Sequence, residues 1–515
     1  MMRKIAIVLL TLLMPSLLLG QEVVLLKKPV SSKTVVKFMF KNGSIADPKG
    51  KEGLTVLTAA LMMEGGTLGY TKPEIDSILY PMAAWYSASA DKEVVVFTFE
   101  FPSVYQDAIF DIMMGLIVKP EFTEENFQRV KSNQLNYVEQ VIKASSDEEY
   151  SKMALEEMLF HQTPYRHMVA GTVEGVKSIS LADVEEHYRK YFGVKNVTTG
   201  VAGAFKDRYV EKIRQGLSQL PSHEIQLPEL PAPQQPAGIR VRIIEKENAL
   251  GSAIFAGFPI DVTREKDEFV ALMVANSSLG EHRKSYGRLY QKIRETRSMN
   301  YGDYTYIEWY KDGTYHQLPP SGTPRSSNYF GLWIRPVQIG ESLRSQYPEL
   351  KDVSIGHAHF ALRLAIREID LLVKNGLTKE DFEATRRFLK NYIKLYIQSP
   401  EKELGFLMDS RFYNRRDFIS EAGAILDRLT VDDVNAAVRK YLQTENMQVA
   451  IVTDDSEAAV LAKSLKENLP SPMTYANVVK EGLPGEVLDE DKEIENYKLN
   501  VALVEITGSA KMFIH

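Results

Sequence analysis

The chain has 515 residues, more than one domain usually holds, which predicts at least two domains. Its hydrophobic content of 44% and charged content of 25% are ordinary for a globular protein. The net charge of −6, without a run rich in lysine or arginine, argues against nucleic-acid binding, and the lack of cysteine excludes disulfides and thiol nucleophiles.

The first twenty residues have the pattern of an export signal. Two basic residues precede the apolar run Ile5–Leu19, which is too short to span a bilayer, and the small residue Gly20 precedes Gln21. We expect cleavage before Gln21; an uncleaved anchor is the alternative. No later segment reads as a membrane span, so we infer a soluble exported protein, most simply in a bacterial periplasm.

Hydrophobic periodicity predicts strands and helices in both halves of the chain. Hairpin-like strand spacing followed by blocks of helices favours an α+β fold over a regularly alternating parallel sheet. The predicted strands are Thr34–Phe40, Glu93–Phe101, Val197–Ala204, Arg240–Glu245, Tyr301–Trp309, Tyr329–Ile334 and Met447–Val452. The predicted helices include Gly53–Thr67, Glu125–Ile142, Ala154–Phe160 and Glu380–Ile397.

The chain contains an internal duplication. Leu181–Asn196 and Val431–Asn446 share a D-V pair, an R-K-Y triplet and a final asparagine at the same spacing, and an apolar strand follows each. A second similarity pairs Phe122–Val130 with Leu377–Thr385, where a threonine and following acids suit a helix N-terminus. The preserved register predicts two homologous domains.

A proline-rich segment separates the two copies. Residues 221–238 hold five prolines in eighteen residues, which predicts an extended linker between domains at 21–220 and 239–515. The second copy also carries two polar insertions, 312–328 and 340–357, which we expect to be long loops. Either could border a binding chamber or meet a partner.

Several blocks, in order and spacing, resemble the pitrilysin/insulinase family of zinc metallopeptidases. They are Gly66–Leu79, Ala83–Pro102, Thr163–Phe192 and Leu279–Tyr306. The resemblance implies the family's plan of two tandem homologous α+β domains, each an antiparallel-rich sheet with helices on one side, forming a clamshell around a peptide. It also implies that Ala83–Pro102 forms a strand pair whose edge can bind peptide.

The window GLTVLTAALMMEGGT (Gly53–Thr67) resembles the family's zinc helix, although alone it fits an ordinary amphipathic core helix as well. In the family motif H-x-x-E-H, the histidines ligate zinc and the glutamate activates the bound water. Here these positions hold Val56, Ala59 and Ala60, which cannot donate a lone pair or move a proton. The resemblance therefore implies a chain without zinc, inactive as a peptidase alone.

Other metal ligands are also missing. The family's third ligand position falls at Asn136 or Tyr137, and Glu139 lies out of register with it. His357 and His359 are the only histidines within one helical turn of each other, and they precede a predicted helix. We expect them to be solvated or to cap that helix rather than to bind metal.

The second half retains more of the family pattern. Its R-x6-Y element is carried by Arg294 and Tyr301. In active relatives this pair hydrogen-bonds the substrate backbone beside the scissile bond and helps to stabilise the tetrahedral intermediate, a task that suits guanidinium and phenol donors. The alternatives are a helix-surface charge for Arg294 and a core residue at a strand start for Tyr301.

The resemblance implies a substrate-binding subunit that completes the active site of a zinc-bearing homologous partner and acts on peptides or unfolded proteins. The alternative is a peptide-binding or scaffold pseudopeptidase in which Arg294 and Tyr301 are relics. A zinc peptidase with unrecognised ligands is a third hypothesis, which would require three ligands and a base to be replaced.

Overall fold

The computed structural model describes residues 22–300, 302–309 and 317–515; the predicted export signal and Tyr301 lie outside these ranges. Two mixed sheets organise the chain. The first contains β1 (Glu22–Lys27), β2 (Lys33–Phe40), β3 (Trp85–Ala90), β4 (Val95–Pro102) and β5 (Val197–Gly203). The second contains β6 (Ile239–Glu245), β7 (Ser252–Ile260), β8 (Asp303–Tyr306), β9 (Asn328–Val337), β10 (Met447–Thr453) and β11 (Val501–Gly508).

Helices surround both sheets. Those of the first half are α1 (Leu54–Glu64), α2 (Lys72–Leu79), α3 (Gln106–Val118), α4 (Glu124–Asn136), α5 (Ile142–Ser145), α6 (Asp147–Leu159), α7 (Val173–Ser178), α8 (Leu181–Tyr191) and α9 (Asp207–Leu217). Those of the second half are α10 (Glu268–Gly280), α11 (Gly340–Gln346), α12 (Ala358–Asn375), α13 (Lys379–Tyr392), α14 (Pro400–Phe412), α15 (Phe418–Arg428), α16 (Val431–Tyr441), α17 (Asp455–Lys466), α18 (Asn477–Glu481) and α19 (Gly485–Glu495).

Shorter helical segments complete the chain. Two are π-helical, Tyr137–Val141 and Tyr290–Glu295. The 3₁₀ turns are Ser44–Ala46, Tyr80–Met82, Ser103–Tyr105, Val194–Asn196, Pro348–Leu350, Ile393–Ile397 and Ser509–Lys511. None of the helices in the described ranges is both long and apolar enough to cross a membrane.

The two sheets have the same topology, as the sequence duplication predicts. The first has the order β1-β5-β2-β4-β3, and the second has β6-β10-β7-β9-β8 with β11 added beside β6. In each, a parallel pair, β1–β5 or β6–β10, is continued by antiparallel strands, and the added β11 is also parallel to β6. Equivalent helices α8 and α16 begin with the same capping box, Ser180 with Asp183 and Thr430 with Asp433. The predicted α+β fold with two homologous domains is confirmed.

Each sheet is covered on its second face by a helix from the other half. Helix α6 packs on β7 and β10 of the second sheet, and α14 packs on β1, β2 and β5 of the first. Leu404 and Met408 of α14 pack with Val35 and Ala202 of the first sheet. The approach is so close that a Cβ on Gly200 of β5 would collide with Met408 Sδ. Within each half, the helices therefore lie on one side of that half's own sheet, as predicted. Helices α6 and α14, which we call the exchanged helices because each covers the sheet of the other half, form a further layer.

The C-terminal segment also returns to the first half. Tyr150 donates its hydroxyl hydrogen to the carbonyl of Ser509 at 2.7 Å. The amides of Val173 and Glu174 donate to the carbonyls of Phe513 and Ile514 at 3.2 and 3.0 Å. The two halves are thus joined by extensive packing as well as by residues 221–238, which contain no helix or strand.

Three element predictions need correction. The helix predicted over Glu125–Ile142 leaves α-helical geometry at Tyr137, where the π-helical segment begins. The helix predicted over Glu380–Ile397 ends at Tyr392 and continues as a 3₁₀ turn. The insertion 340–357, expected to be a loop, contains α11 and a 3₁₀ turn, because Leu343 of α11 is buried against the second half.

Candidate functional site

Helix α1 forms where the sequence predicts it, and backbone contacts fix its start. Gly53 precedes it with φ 106°, and a Cβ there would lie 2.7 Å from Gln134 Nε2, so glycine is required. The carboxylate of Asp47 accepts hydrogen bonds from the amides of Gly53 and Thr55, each at 2.7 Å. An acceptor at this end satisfies donors that the helix leaves unpaired.

Two of the three motif positions face a cavity of about 660 Å³, which we call the α1 cavity. Val56 and Ala60 line it, whereas Ala59 is buried in the core. Tyr137, one of the two candidates for the third ligand position, lines the same cavity, and Asn136 does not. Glu139, which the sequence places out of register with that position, does not line the cavity and pairs with Lys177 at 2.7 Å. The fold therefore brings the positions of a zinc site together, but with two aliphatic side chains and a tyrosine in place of the usual zinc ligands.

The donor set of the α1 cavity does not fit zinc. A zinc site needs nitrogen, sulfur or carboxylate ligands in tetrahedral arrangement, and two aliphatic side chains occupy the motif positions. Within the ranges that the structure describes, no three histidine, aspartate or glutamate side chains come together in a way that could hold a metal ion. No hydrolytic step through zinc can be derived from these residues.

We expect the purified chain to bind no stoichiometric zinc, and chelators to leave its melting temperature unchanged. A structural zinc ion would couple strongly to the free energy of unfolding, so its removal would lower the melting temperature. Elemental analysis and thermal melts with and without EDTA measure both quantities. A chelator-induced fall in melting temperature would contradict our interpretation of Val56, Ala59 and Ala60.

The prediction that His357 and His359 are solvated is wrong, and the alternative that they cap a helix holds only for the position of His357. His357 is the N-cap residue of α12, but its side chain makes no capping hydrogen bond, and His359 lies inside the helix. Both side chains are buried, because α12 packs its first turn against α17 and the segment around Thr474. His357 Nε2 lies 2.7 Å from Thr474 Oγ1, and His359 Nδ1 lies 2.8 Å from Ser464 Oγ. Burial lowers the pKa of His357 to about 4 and, with a contribution from Arg363, that of His359 to about 3.

These shifts predict that His359 makes the protein sensitive to acid. The unfolded chain protonates this imidazole as the pH falls below 6.5, whereas the folded chain keeps it neutral down to about pH 3. The free energy of unfolding that neutral His359 contributes is therefore fully present above about pH 6.5 and is lost progressively as the pH falls toward 3. The difference in free energy of unfolding between wild type and His359→Gln should shrink by about 2 kcal/mol from pH 7.5 to pH 5. Urea titrations at both pH values measure it, with exposed His223→Gln as the control; a constant difference would contradict it.

The wall of the α1 cavity contains a buried charged turn. Asp91, Lys92 and Glu93 connect β3 to β4, and all three side chains are buried. Lys92 donates through Nζ to the carbonyls of Tyr165, at 2.8 Å, and of His167. Burial lowers the pKa of Lys92 to about 8, against the opposite effect of Glu156. Satisfied hydrogen bonds allow these charges to remain inside the protein.

Arg325 from the second half completes this charged group. Its Nε and Nη2 donate to both carboxylate oxygens of Asp91, each at 2.8 Å, and its Nη1 donates to Glu156 at 3.2 Å. The guanidinium also stacks over Trp309, with its carbon 3.7 Å from the ring centroid. Burial raises the pKa of Glu156, but Arg325 and Lys92 more than offset this and leave it below its usual value. A bidentate buried pair thus holds the two halves together at the α1 cavity.

The sequence predicts that the insertion 312–328 either borders a binding chamber or meets a partner, and its described part does the first. Thr323 and Arg325 line the α1 cavity, so the described part of the insertion borders the chamber. Sequence reasoning missed this group, because three consecutive charges between two strands are typical of a solvent-exposed turn. The one available signal was an arginine inside a segment otherwise rich in proline, serine and glycine.

Arg294 lines a different cavity. It lies in the π-helical segment Tyr290–Glu295 and faces a space of about 810 Å³, which we call the arginine cavity because Arg283 and Arg335 also line it. Among the residues that the structure describes around the α1 cavity, Arg294 is not included. Tyr301 lies outside the described residues, so its position relative to Arg294 stays a prediction.

Helix α6 borders both cavities. Its Glu149 and Glu156 line the α1 cavity, and its Glu148 accepts a hydrogen bond from Arg335 Nε at 2.7 Å beside the arginine cavity. Helix α6 therefore links the two cavities, because its side chains line the α1 cavity and hold an arginine of the arginine cavity.

Two models of related families match adjoining segments of the chain. Residues 22–173 match the family model described as insulinase (peptidase family M16), and residues 178–329 match that of the peptidase M16 inactive domain. Over 275 residues the chain is 25% identical to the non-peptidase homolog YmxG of Helicobacter pylori, covering 52% of this chain and 61% of that protein. It is 22% identical over 283 residues to the uncharacterized zinc protease SCO5738 of Streptomyces coelicolor, covering 53% and 54%. The chain thus spans less than two thirds of the length of these curated relatives.

Solved structures share the fold. The peptidase M16 inactive domain from Pseudomonas fluorescens superimposes with a TM-score of 0.71 at 20% identity, covering 84% of this chain and 96% of that one. A protease from Helicobacter pylori gives a TM-score of 0.67 at 15% identity, covering 83% and 96%. Together with the two matching family models, these similarities place the chain in the insulinase family of peptidases, peptidase family M16, as a member whose H-x-x-E-H positions hold valine and alanine.

Proposed function

We propose that this chain is the non-catalytic, substrate-binding subunit of a two-subunit zinc peptidase. A homologous partner carries the zinc, this chain holds none, and the pair acts on peptides or unfolded proteins in a periplasmic compartment. The observation that carries the proposal is the separation of Arg294 from Val56 and Ala60. Arg294 lines a different cavity from Val56 and Ala60, which favours a role beside the zinc helix of another chain.

An edge strand supports the binding of peptide. β3 ends the first sheet and pairs with β4 on one side. Ala88, Ser89 and Ala90 of this strand line the α1 cavity, and their small side chains leave room beside the backbone. An extended peptide can add to such an edge through main-chain hydrogen bonds, with its side chains directed into neighbouring pockets. The loss of the zinc ligands leaves this mode of binding available.

Reconstitution tests the proposal. The chain, a zinc-bearing homologue from the same organism and their mixture are each incubated with a quenched fluorescent unfolded peptide. We expect cleavage by the mixture that exceeds the activity of the homologue alone and stops on chelation, and no cleavage by this chain alone. If the mixture is no more active than the homologue, the chain does not complete that active site.

A further inference from the structure

One face of α1 is open to the α1 cavity. Val56, Ala60 and Glu64 are spaced four residues apart, so their side chains lie on the same side of the helix, and all three line the cavity. They are also the residues of α1 that stay partly accessible, whereas the other eight are buried. Where the family motif has two histidines, this face has the short apolar side chains of Val56 and Ala60. The helix therefore contributes an apolar surface to the cavity in place of metal ligands.

Apolar side chains from other elements continue this surface. They belong to β3, α4, α6 and the segment between α6 and α7, and they are Ala88, Ala90, Val130, Met153, Met168, Val169 and Ala170. The unbranched side chains of methionine adapt their shape to what they contact. At about 660 Å³ the cavity lies within the usual range of ligand pockets, about 300–1,000 Å³. It therefore has room for a large side chain together with part of a peptide main chain.

The charged side chains around the cavity are mostly paired with one another. The ion pairs are Asp91–Arg325, Glu156–Arg325, Lys92–Glu156, Glu149–Lys152 and Glu64–Arg129. His167 is neutral near pH 7, because burial lowers its pKa to about 4. Arg166 also lines the cavity, but it is exposed to solvent, which weakens its attraction for an anion. The cavity therefore favours an uncharged group, since a charged one would lose hydration without gaining a buried partner.

Gln134 adds an unpaired hydrogen-bond acceptor to the wall of the cavity. Its Nε2 donates to the carbonyls of Gly53 and Ala170, at 2.9 and 2.8 Å, so both amide hydrogens are used and the orientation of the carboxamide is fixed. Its Oε1 is buried and has no hydrogen-bond partner among the residues that the structure describes. Gln134 is only 8% exposed, so a ligand N–H that reached this oxygen would satisfy an acceptor that is costly to leave unpaired.

We infer that the α1 cavity binds a peptide through a large, uncharged apolar side chain that packs against Val56 and Ala60. The edge strand β3 can pair with the main chain of the same peptide, and Gln134 Oε1 can accept a hydrogen bond from one of its amides. The loss of the motif histidines thus converts a metal site into a pocket that selects a side chain. The inference rests on the proposed function in one respect, that the ligand is a peptide, and it adds the class of side chain that is recognised.

Four labelled peptides test the inference by fluorescence anisotropy with the whole mature chain. They are capped at both ends and identical except for one central residue, which is leucine, asparagine, lysine or glutamate. Leucine and asparagine are similar in size, so their comparison isolates the burial of apolar surface. We expect the leucine peptide to bind at least about tenfold more tightly than the asparagine peptide, and the two charged peptides to bind no more tightly than the asparagine peptide. The preference should persist when salt is raised, because it does not depend on charge.

Substitutions in the pocket then locate the site. Ala60→Leu fills the space beside Val56 and should reduce the affinity for the leucine peptide to that for the asparagine peptide. Ala182→Leu, at an exposed position on α8 outside the cavity, is the matched control and should leave the preference intact. Val56→Thr replaces a methyl group by a hydroxyl at almost the same volume and should weaken the preference several-fold, which keeps the test valid if the larger side chain at position 60 disturbs the fold. Circular dichroism and a thermal melt establish which variants are folded.

The outcomes separate the pocket from peptide binding in general. Equal binding of the leucine and asparagine peptides, or a leucine preference that survives both Ala60→Leu and Val56→Thr, would overturn the inference while leaving peptide binding established. Tightest binding of the lysine or glutamate peptide would also overturn it, because the cavity would then select charge. If no peptide binds, the proposed substrate-binding function itself fails, and the inference fails with it.

Discussion

Replacing Arg294 by alanine is expected to lower peptide cleavage by the reconstituted pair about 100- to 1000-fold. Loss of one preorganised donor to a developing oxyanion typically has an effect of this size in a water-poor site. Tyr301→Phe removes only the phenolic hydroxyl and should have an effect of the same order. Initial rates at saturating peptide measure both variants against the wild-type pair.

The controls separate catalysis from assembly. Arg439→Ala removes an exposed arginine from α16 and should leave the rate unchanged. Analytical ultracentrifugation of each mixture should show that Arg294→Ala and Tyr301→Phe bind the partner nearly as well as the wild type does. Full activity of both variants in an intact complex would favour the scaffold pseudopeptidase, with Arg294 and Tyr301 as relics.

Replacing Arg325 by methionine is expected to lower the free energy of unfolding by about 3–5 kcal/mol. Removing one partner of a buried ion pair leaves the other charge without compensation. Here Asp91 would lose both of its bonds to the guanidinium, and Glu156 would lose one. Denaturant titration measures the loss. Both halves of the chain should be destabilised, because Asp91 lies in the first half and Arg325 in the second.

Two further variants make this result interpretable. Arg428→Met breaks the exposed pair with Asp267, in which the arginine side chain is 61% accessible, and should change stability by less than about 1 kcal/mol. Adding Asp91→Asn to Arg325→Met should restore part of the lost stability, because one uncompensated charge is removed. Equal losses for Arg325→Met and Arg428→Met would show that the buried pair has no special role.

The features that sequence predicts well are those with local causes. The start of α8 and that of α16 follow from their capping boxes, and the strands β5 and β10 follow from short apolar runs at the same distance behind them. The cavity position of Val56 and Ala60 follows from helical periodicity once the resemblance to the family fixes the register. These patterns depend on neighbouring residues, which a single sequence contains.

The features that sequence missed depend on distant contacts. Arg325 and Asp91 lie 234 residues apart, so nothing near Asp91-Lys92-Glu93 shows that this turn is buried. His357 and His359 look like exposed polar residues before a helix until the segments around Ser464 and Thr474 cover them. The π-helical geometry at Tyr137 is likewise unmarked by any glycine or proline in Asn136–Val141.

The exchanged helices have a consequence for how the protein is made. The second face of the first sheet stays uncovered until α14 has been synthesised, and Lys28 then bonds to Glu403 at 3.1 Å across 375 residues. Contacts between such distant residues form late, because a long loop must close first. The first half therefore leaves the ribosome early but cannot complete its core until about four fifths of the whole chain has been synthesised, since α14 ends at Phe412 of 515 residues. We expect neither half to persist as a folded unit alone, so that gene fission between the two halves would require both products to be made together.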